Sequence, residues 1–184
     1  EKIEEAEHTT PEGCDIQNML ARMVENGCKA CVMEASSHAI VQGRIDGLRY
    51  DRAGFTNLTL DHLDFHKDME HYFLAKKTLF DGYMRNNWQA SVNIDDPYGR
   101  RLYEALGKRA LSYSMLNEEA DFFAAVKNVT VEGLDIEVKT PESPEKKSIK
   151  LPILGAYNVM NALQALSLAW SIGVSAQSAL DALG

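Results

Sequence analysis

Apolar positions along this chain switch repeatedly between helical and strand spacing. Ile16, Met19, Leu20, Met23 and Val24 recur at the helical period, which predicts a helix over 11–26 with Gly27 as its stop. The run ACVMEA predicts a buried strand at 30–35, ending in Glu34, Ser36, Ser37 and His38. Polar side chains at the end of such a strand are where α/β sheets place ligands. A short strand follows at 53–56. Helices at 69–84 and 97–106 flank a strand at 90–94, and a further strand covers 110–113. From Asp121 the pattern alternates as in strands, with turn signals at Glu132-Gly133 and 141–147, which predicts about three antiparallel strands. A long helix over 157–172 has Val159, Met160, Leu163, Leu166 and Trp170 on its inner side, and Ser175 caps a last short helix. The expected architecture is α/β, a mostly parallel sheet flanked by helices with a small appended antiparallel sheet.

One position in this pattern is chemically odd. At roughly 100° per residue, Met69, Tyr72, Phe73, Lys76, Phe80 and Tyr83 share an arc, with Leu79 at its edge and Lys77 toward the flank. A lysine facing inward must snorkel to a carboxylate, lose its proton or be chemically altered, because burying a bare ammonium is costly. Asp61, His62, Asp64 and His66 lie upstream, with Glu34 further back.

Composition narrows the classes. At 184 residues the chain is most simply one domain, 1–184, and its 45% hydrophobic and 25% charged residues are those of an ordinary soluble protein. No run approaches the roughly 18 apolar residues of a membrane span, and EKIEEAEHTT is no signal peptide. The first residue is not Met, as expected for a piece of something longer. A net charge of −8 argues against nucleic-acid binding but leaves room for a small anionic ligand. Cys14, Cys28 and Cys31 suit a reducing compartment. Cys28 and Cys31 have redox or zinc spacing, but no second pair follows, so core packing is expected of them.

Several short patterns allow ordinary readings. In HTTPEG, Thr10 suits an N-cap with Pro11 at the first helical position. Ser37 and His38 are adjacent, which does not make a catalytic triad, and no G-x-S-x-G elbow is present. His62 and His66 have metalloprotease spacing, but Leu63 stands where the general-base Glu would be.

Taken together these segments resemble the central domain of the Mur ligases, and within that family the members acting at the third residue of the peptidoglycan stem peptide. The matching blocks are HTTP (8–11), EASSHAIVQGRIDG (34–47), FTNLTLDHLDFH (55–66), YFLAK (72–76), DDPYGR (95–100) and GAYNVMNA (155–162). The resemblance implies an ATP-dependent ligase joining meso-diaminopimelate or L-lysine to UDP-MurNAc-L-Ala-D-Glu through an acyl phosphate, in the cytoplasm. It also implies that Lys76 is carbamylated and, with Glu34 and His62, ligates Mg²⁺. A carbamate presents hard oxygens of the kind Mg²⁺ prefers, so the family chemistry answers the question Lys76 raises. His8, Thr9, Thr10, Ser36, Gln42 and Arg44 match family contacts to the UDP-MurNAc-dipeptide, with His8 where the family usually has Asn. Asn158 and Asn161 match residues on the adenine side of ATP. Partners are thereby the UDP-sugar peptide, ATP and an amino acid, with neither nucleic acid nor membrane.

Two other readings compete: a relative on the same scaffold, such as another Mur ligase or a folylpolyglutamate-type synthetase, and a non-catalytic module. The HTTP and SSHAIVQGR blocks oppose the first, and the retention of Glu34, His62 and Lys76 opposes the second. No G-x-x-x-x-G-K-[ST] loop occurs in the sequence, so the chain alone is expected to be inactive. Its sheet is expected to lack the strand that carries that loop. The full enzyme is expected to be a monomer, while an open sheet edge favours self-association of the isolated chain.

Overall fold

The computed structural model describes residues 9–60 and 65–184. His8, Asp61, His62 and Asp64 therefore lie outside the described residues. The described residues divide into two compact units, one within 9–50 and 60–85 and the other formed by 51–59 and 86–184.

The first unit is helical. Helix α1 (Gly13–Glu25) buries Ile16. It ends where Gly27 takes a φ of 79° and the Cys28 N–H donates back to the Met23 carbonyl at 2.9 Å, a left-handed closure that glycine makes at no steric cost. Helix α2 (Ser37–Val41) is short and begins at Ser36, whose hydroxyl accepts from the Ala39 N–H. Helix α3 (Met69–Gly82) is capped by Asp68, which accepts from the His71 N–H, and it buries Tyr72, Phe73 and Phe80. The apolar arc expected from the sequence is therefore the inward face. Helices α2 and α3 pack together, and Ile16, Ile40 and Ile45 form a small core with Leu20 and Leu79 against it.

The second unit is built on the sheet. Strands β1 (Tyr50–Phe55), β2 (Met84–Asn93), β3 (Ala110–Ser114), β4 (Phe122–Thr130), β5 (Gly133–Thr140) and β6 (Ser143–Leu151) lie in the order β1-β2-β3-β4-β5-β6. Ala90 pairs with Ala110 and Tyr113 with Phe122 in parallel ladders. Ala124 pairs with Val138 and Ile136 with Ile149 in antiparallel ones. The antiparallel portion thus continues the parallel sheet through β4. Helix α5 (Ala156–Ser171) packs on β3 and β4, where Tyr113, Phe122, Ile136, Leu163 and Leu166 join one core. Helix α6 (Ala176–Asp181) starts at Ser175, which accepts from the Ser178 N–H.

The DDPYGR block has a structural account. Asp96 caps α4 (Pro97–Leu106) by accepting from the Tyr98 and Gly99 N–H groups. Asp95 accepts from the Met115 N–H at 2.8 Å and from the Ser114 hydroxyl. A Cβ on Gly99 would stand 1.9 Å from the Asn93 carbonyl oxygen, so only glycine lets α4 approach the end of β2 this closely.

Three expectations are corrected. Residues 28–36 form no strand, and Val32 is 96% exposed. A buried strand needs ladder partners for its N–H and C=O groups, and among the described residues this run forms no ladder with any strand. Cys28 and Cys31 are exposed rather than packed in a core, and Cys14 is exposed as well. The turn expected over 141–147 is shorter, because β6 already begins at Ser143 and accommodates Pro144. Proline is tolerated there because β6 is an edge strand.

Candidate functional site

The residues singled out around Glu34 and Lys76 fall within the first unit. The stretch that delivers Glu34 has no ladder hydrogen bonds, so side chains hold it. The Thr10 hydroxyl donates to the Glu34 carbonyl at 2.8 Å and accepts from the Ser36 N–H at 3.1 Å. Thr10 is 1% exposed. It is not the N-cap of α1, a position held by Glu12 without a side-chain bond. The hydroxyl instead clasps the backbone at Glu34, 24 residues further along the chain.

Arg44 reinforces the clasp from behind. Its Nη1 donates to the Thr10 carbonyl at 3.0 Å, and its Nε lies 3.1 Å from a Glu12 carboxylate oxygen. Ser36 is half-buried and caps α2, whereas Thr9 and Gln42 are exposed. Of the expected substrate contacts, Thr10, Ser36 and Arg44 are thus brought into one network, Thr9 and Gln42 face outward, and His8 lies outside the described residues.

Lys76 stands on α3, half-buried, with Nζ 5.2 Å from the centre of the Tyr72 ring. Burial pushes its ammonium below the usual lysine range, while the Glu34 carboxylate pulls in the opposite direction. Lys77, one residue on, pairs with Asp81 at 2.7 Å. Lys76 is accordingly the inward lysine of this pair, and Glu34 lies within its electrostatic reach. Glu34 itself is exposed, open to a ligand.

A third arrangement was not legible in the sequence. His66, 5% exposed, places Nε2 2.9 Å from the Ser37 hydroxyl oxygen, and Ser37 is 2% exposed. The His66 ring stacks on Tyr72 with centroids 4.6 Å apart and planes 14° apart. Local patterning pairs Ser37 with His38 or His66 with His62, whereas the fold pairs Ser37 with His66 across 29 positions.

Among the described residues no group of three His, Cys, Asp or Glu side chains is placed to hold a metal. The magnesium centre expected from the sequence therefore draws on Glu34, on Lys76 after conversion to an oxygen ligand, and on His62 outside the described residues. The two described members fit that role. One is an accessible hard carboxylate, and the other an amine whose burial favours its neutral, nucleophilic form.

In the second unit, Asn158 and Asn161 share the first turns of α5. The Asn158 amide donates to the Leu154 carbonyl at 2.7 Å, and the Asn161 amide reaches the Asn158 oxygen at 3.4 Å. Asn161 is exposed and Asn158 half-buried. No helix of the described residues is long and apolar enough to cross a membrane.

Comparison with known proteins gives the class. The sequence profile of the Mur ligase middle domain matches residues 1–169. The chain belongs to that family. It is 42% identical over 175 residues to a UDP-N-acetylmuramoyl-L-alanyl-D-glutamate–2,6-diaminopimelate ligase of Gloeobacter violaceus, covering 95% of this chain and 35% of that protein. A ligase of the same name from Synechococcus elongatus is 41% identical over 179 residues, again covering 96% and 35%. A solved structure of a ligase of this name superposes with a TM-score of 0.85 at 29% identity, covering 98% of this chain and 37% of the other. MurF from Acinetobacter baumannii, at 24% identity and a TM-score of 0.63 over 72% of this chain, shares the fold. The chain spans about a third of the length of the curated relatives it matches (35%).

Proposed function

We propose that this chain is the middle domain of an ATP-dependent ligase that joins 2,6-diaminopimelate to UDP-MurNAc-L-Ala-D-Glu in peptidoglycan synthesis, in the cytoplasm. The relatives' names support the substrate pair. The observation that carries the reading within this chain is the half-buried amine of Lys76 within the influence of Glu34.

The chemistry follows from that placement. The lone pair of neutral Lys76 Nζ attacks the carbon of CO₂, a C–N bond forms, and one N–H proton leaves to solvent. The product is a carbamate, anionic where the amine was neutral. Glu34, the Lys76 carbamate and His62 would then hold Mg²⁺. When bound, Mg²⁺ would supply positive charge to offset the negative charge of the reacting phosphate and carboxylate groups. Thr10 and Arg44 fix the backbone that bears Glu34. Ser36, Arg44, Thr9 and Gln42, with His8, are assigned to the UDP-sugar peptide, for whose pyrophosphate and carboxylates hydroxyls and a guanidinium are suited. For the buried Thr10, the internal bonds described above are the primary role. Asn158 and Asn161 offer amides to an adenine edge.

The test uses the full-length protein that bears this domain. Phosphate release from ATP should require Mg²⁺, the UDP-MurNAc-dipeptide and 2,6-diaminopimelate together, with L-lysine a poor substitute. Turnover with L-lysine at an equal rate would overturn the choice of amino acid. No turnover with either would overturn the ligase itself. Residues 1–184 alone, which contain no G-x-x-x-x-G-K-[ST] loop, should show none.

A further inference from the structure

We propose that His66 is a positioning residue that locks the Glu34-bearing segment to helix α3 and so sets the spacing of Glu34 and Lys76. The proposal rests on the ligase reading above for its consequence, but its grounds are geometric.

Glu34 lies in 28–36, a run without regular structure. Its carboxylate can hold one position only if neighbouring residues are pinned. Thr10 pins the backbone at Glu34 and Ser36. On the next residue, the Ser37 hydroxyl meets His66 Nε2 at 2.9 Å. The same imidazole lies nearly flat on Tyr72, at 4.6 Å and 14°. Tyr72 precedes Lys76 by one helical turn, and its ring lies beneath Nζ.

A continuous path thus runs from Ser37 through His66 and Tyr72 to Lys76. Ser37 and His66 are almost fully enclosed, where a lost hydrogen bond is not replaced by water. An imidazole suits the post because one face can stack while an edge nitrogen bonds. A phenyl ring could do only the first.

Four forms of the full-length protein test this: wild type, His66→Phe, which keeps the stack, Ser37→Ala, and the double variant. Two quantities are read with ¹³CO₂ and Mg²⁺ present: the ¹³C NMR signal of the Lys76 carbamate, and kcat separately from the KM for ATP. Each single variant should lower carbamate occupancy and reduce kcat by about 10- to 100-fold, the range seen when a group orienting a metal ligand is removed, with KM for ATP little changed. The double variant should be no worse than either single one, since both remove the same bond.

Variants that retain wild-type occupancy and kcat, or whose losses multiply in the double, overturn the proposal. If His66→Phe does not fold, Ser37→Ala reads the same bond from its other end. A wild-type protein without carbamate or turnover sinks the ligase reading. A carbamylated, active wild type with indifferent variants sinks only the role of His66.

Discussion

Lys76 lies one turn beyond Tyr72, with its Nζ 5.2 Å from the centre of that ring. The π face favours an ammonium there, and so does Glu34, yet burial is the larger influence and holds the ammonium below its ordinary 10.5.

That balance fixes the direction of a pH effect. Between the depressed folded value and 10.5 the unfolded chain binds more protons than the folded one, so stability attributable to Lys76 rises with pH across this window. Below the folded value the penalty of a half-buried ammonium is complete, and near 10.5 it has gone. In CO₂-free buffer, Lys76→Met should therefore be more stable relative to wild type at neutral pH, with the difference shrinking as pH approaches 10.5. Urea titrations across the range check this. A difference independent of pH would contradict it.

The Thr10 clasp makes a second prediction. Thr10→Val keeps the shape but leaves the Glu34 carbonyl and the Ser36 N–H without their partner. The expected cost is about 1–3 kcal/mol, read as a lower denaturant midpoint, while Thr10→Ser stays near wild type. Equal midpoints for Val and Thr would show that the clasp is dispensable.

The close approach of α4 to β2 makes a third. Gly99→Ala puts a methyl group 1.9 Å from the Asn93 oxygen, and backbone must move to admit it. A loss of about 1–3 kcal/mol is expected, visible as a lower melting temperature. An unchanged melting temperature would mean that α4 shifts freely.

Elements whose signals are local were legible in the sequence. The stretch 97–106 carries its own cap and N-terminal proline, and it forms α4 with those bounds. Helix α3 follows its apolar arc, and Ser175 caps α6 as its spacing implied. The run at 30–35 reads as a strand by composition, but strand formation depends on a neighbour, and no described strand supplies one. Pro144 marks a turn by local rules and instead sits on an edge strand, a property of the sheet order.

The site divides along the same line. Lys76 was legible because one helix sets its direction. Its proximity to Glu34, the clasp by Thr10 and the Ser37–His66 bond join positions 24 to 42 residues apart, a consequence of tertiary packing that no local spacing encodes. Family likeness supplied what periodicity did not, namely the expectation that Glu34 and Lys76 share one centre.

The central claim is that the Lys76 amine and the Glu34 carboxylate meet at a single metal centre. Crystals of the full-length protein grown with bicarbonate, Mg²⁺ and nucleotide test it most directly. Density continuous from Lys76 Nζ into a planar carboxylate, with the ion between it, Glu34 and His62, is the result the account predicts. An unmodified Lys76 directed to solvent, away from Glu34 and from any ion, would contradict it.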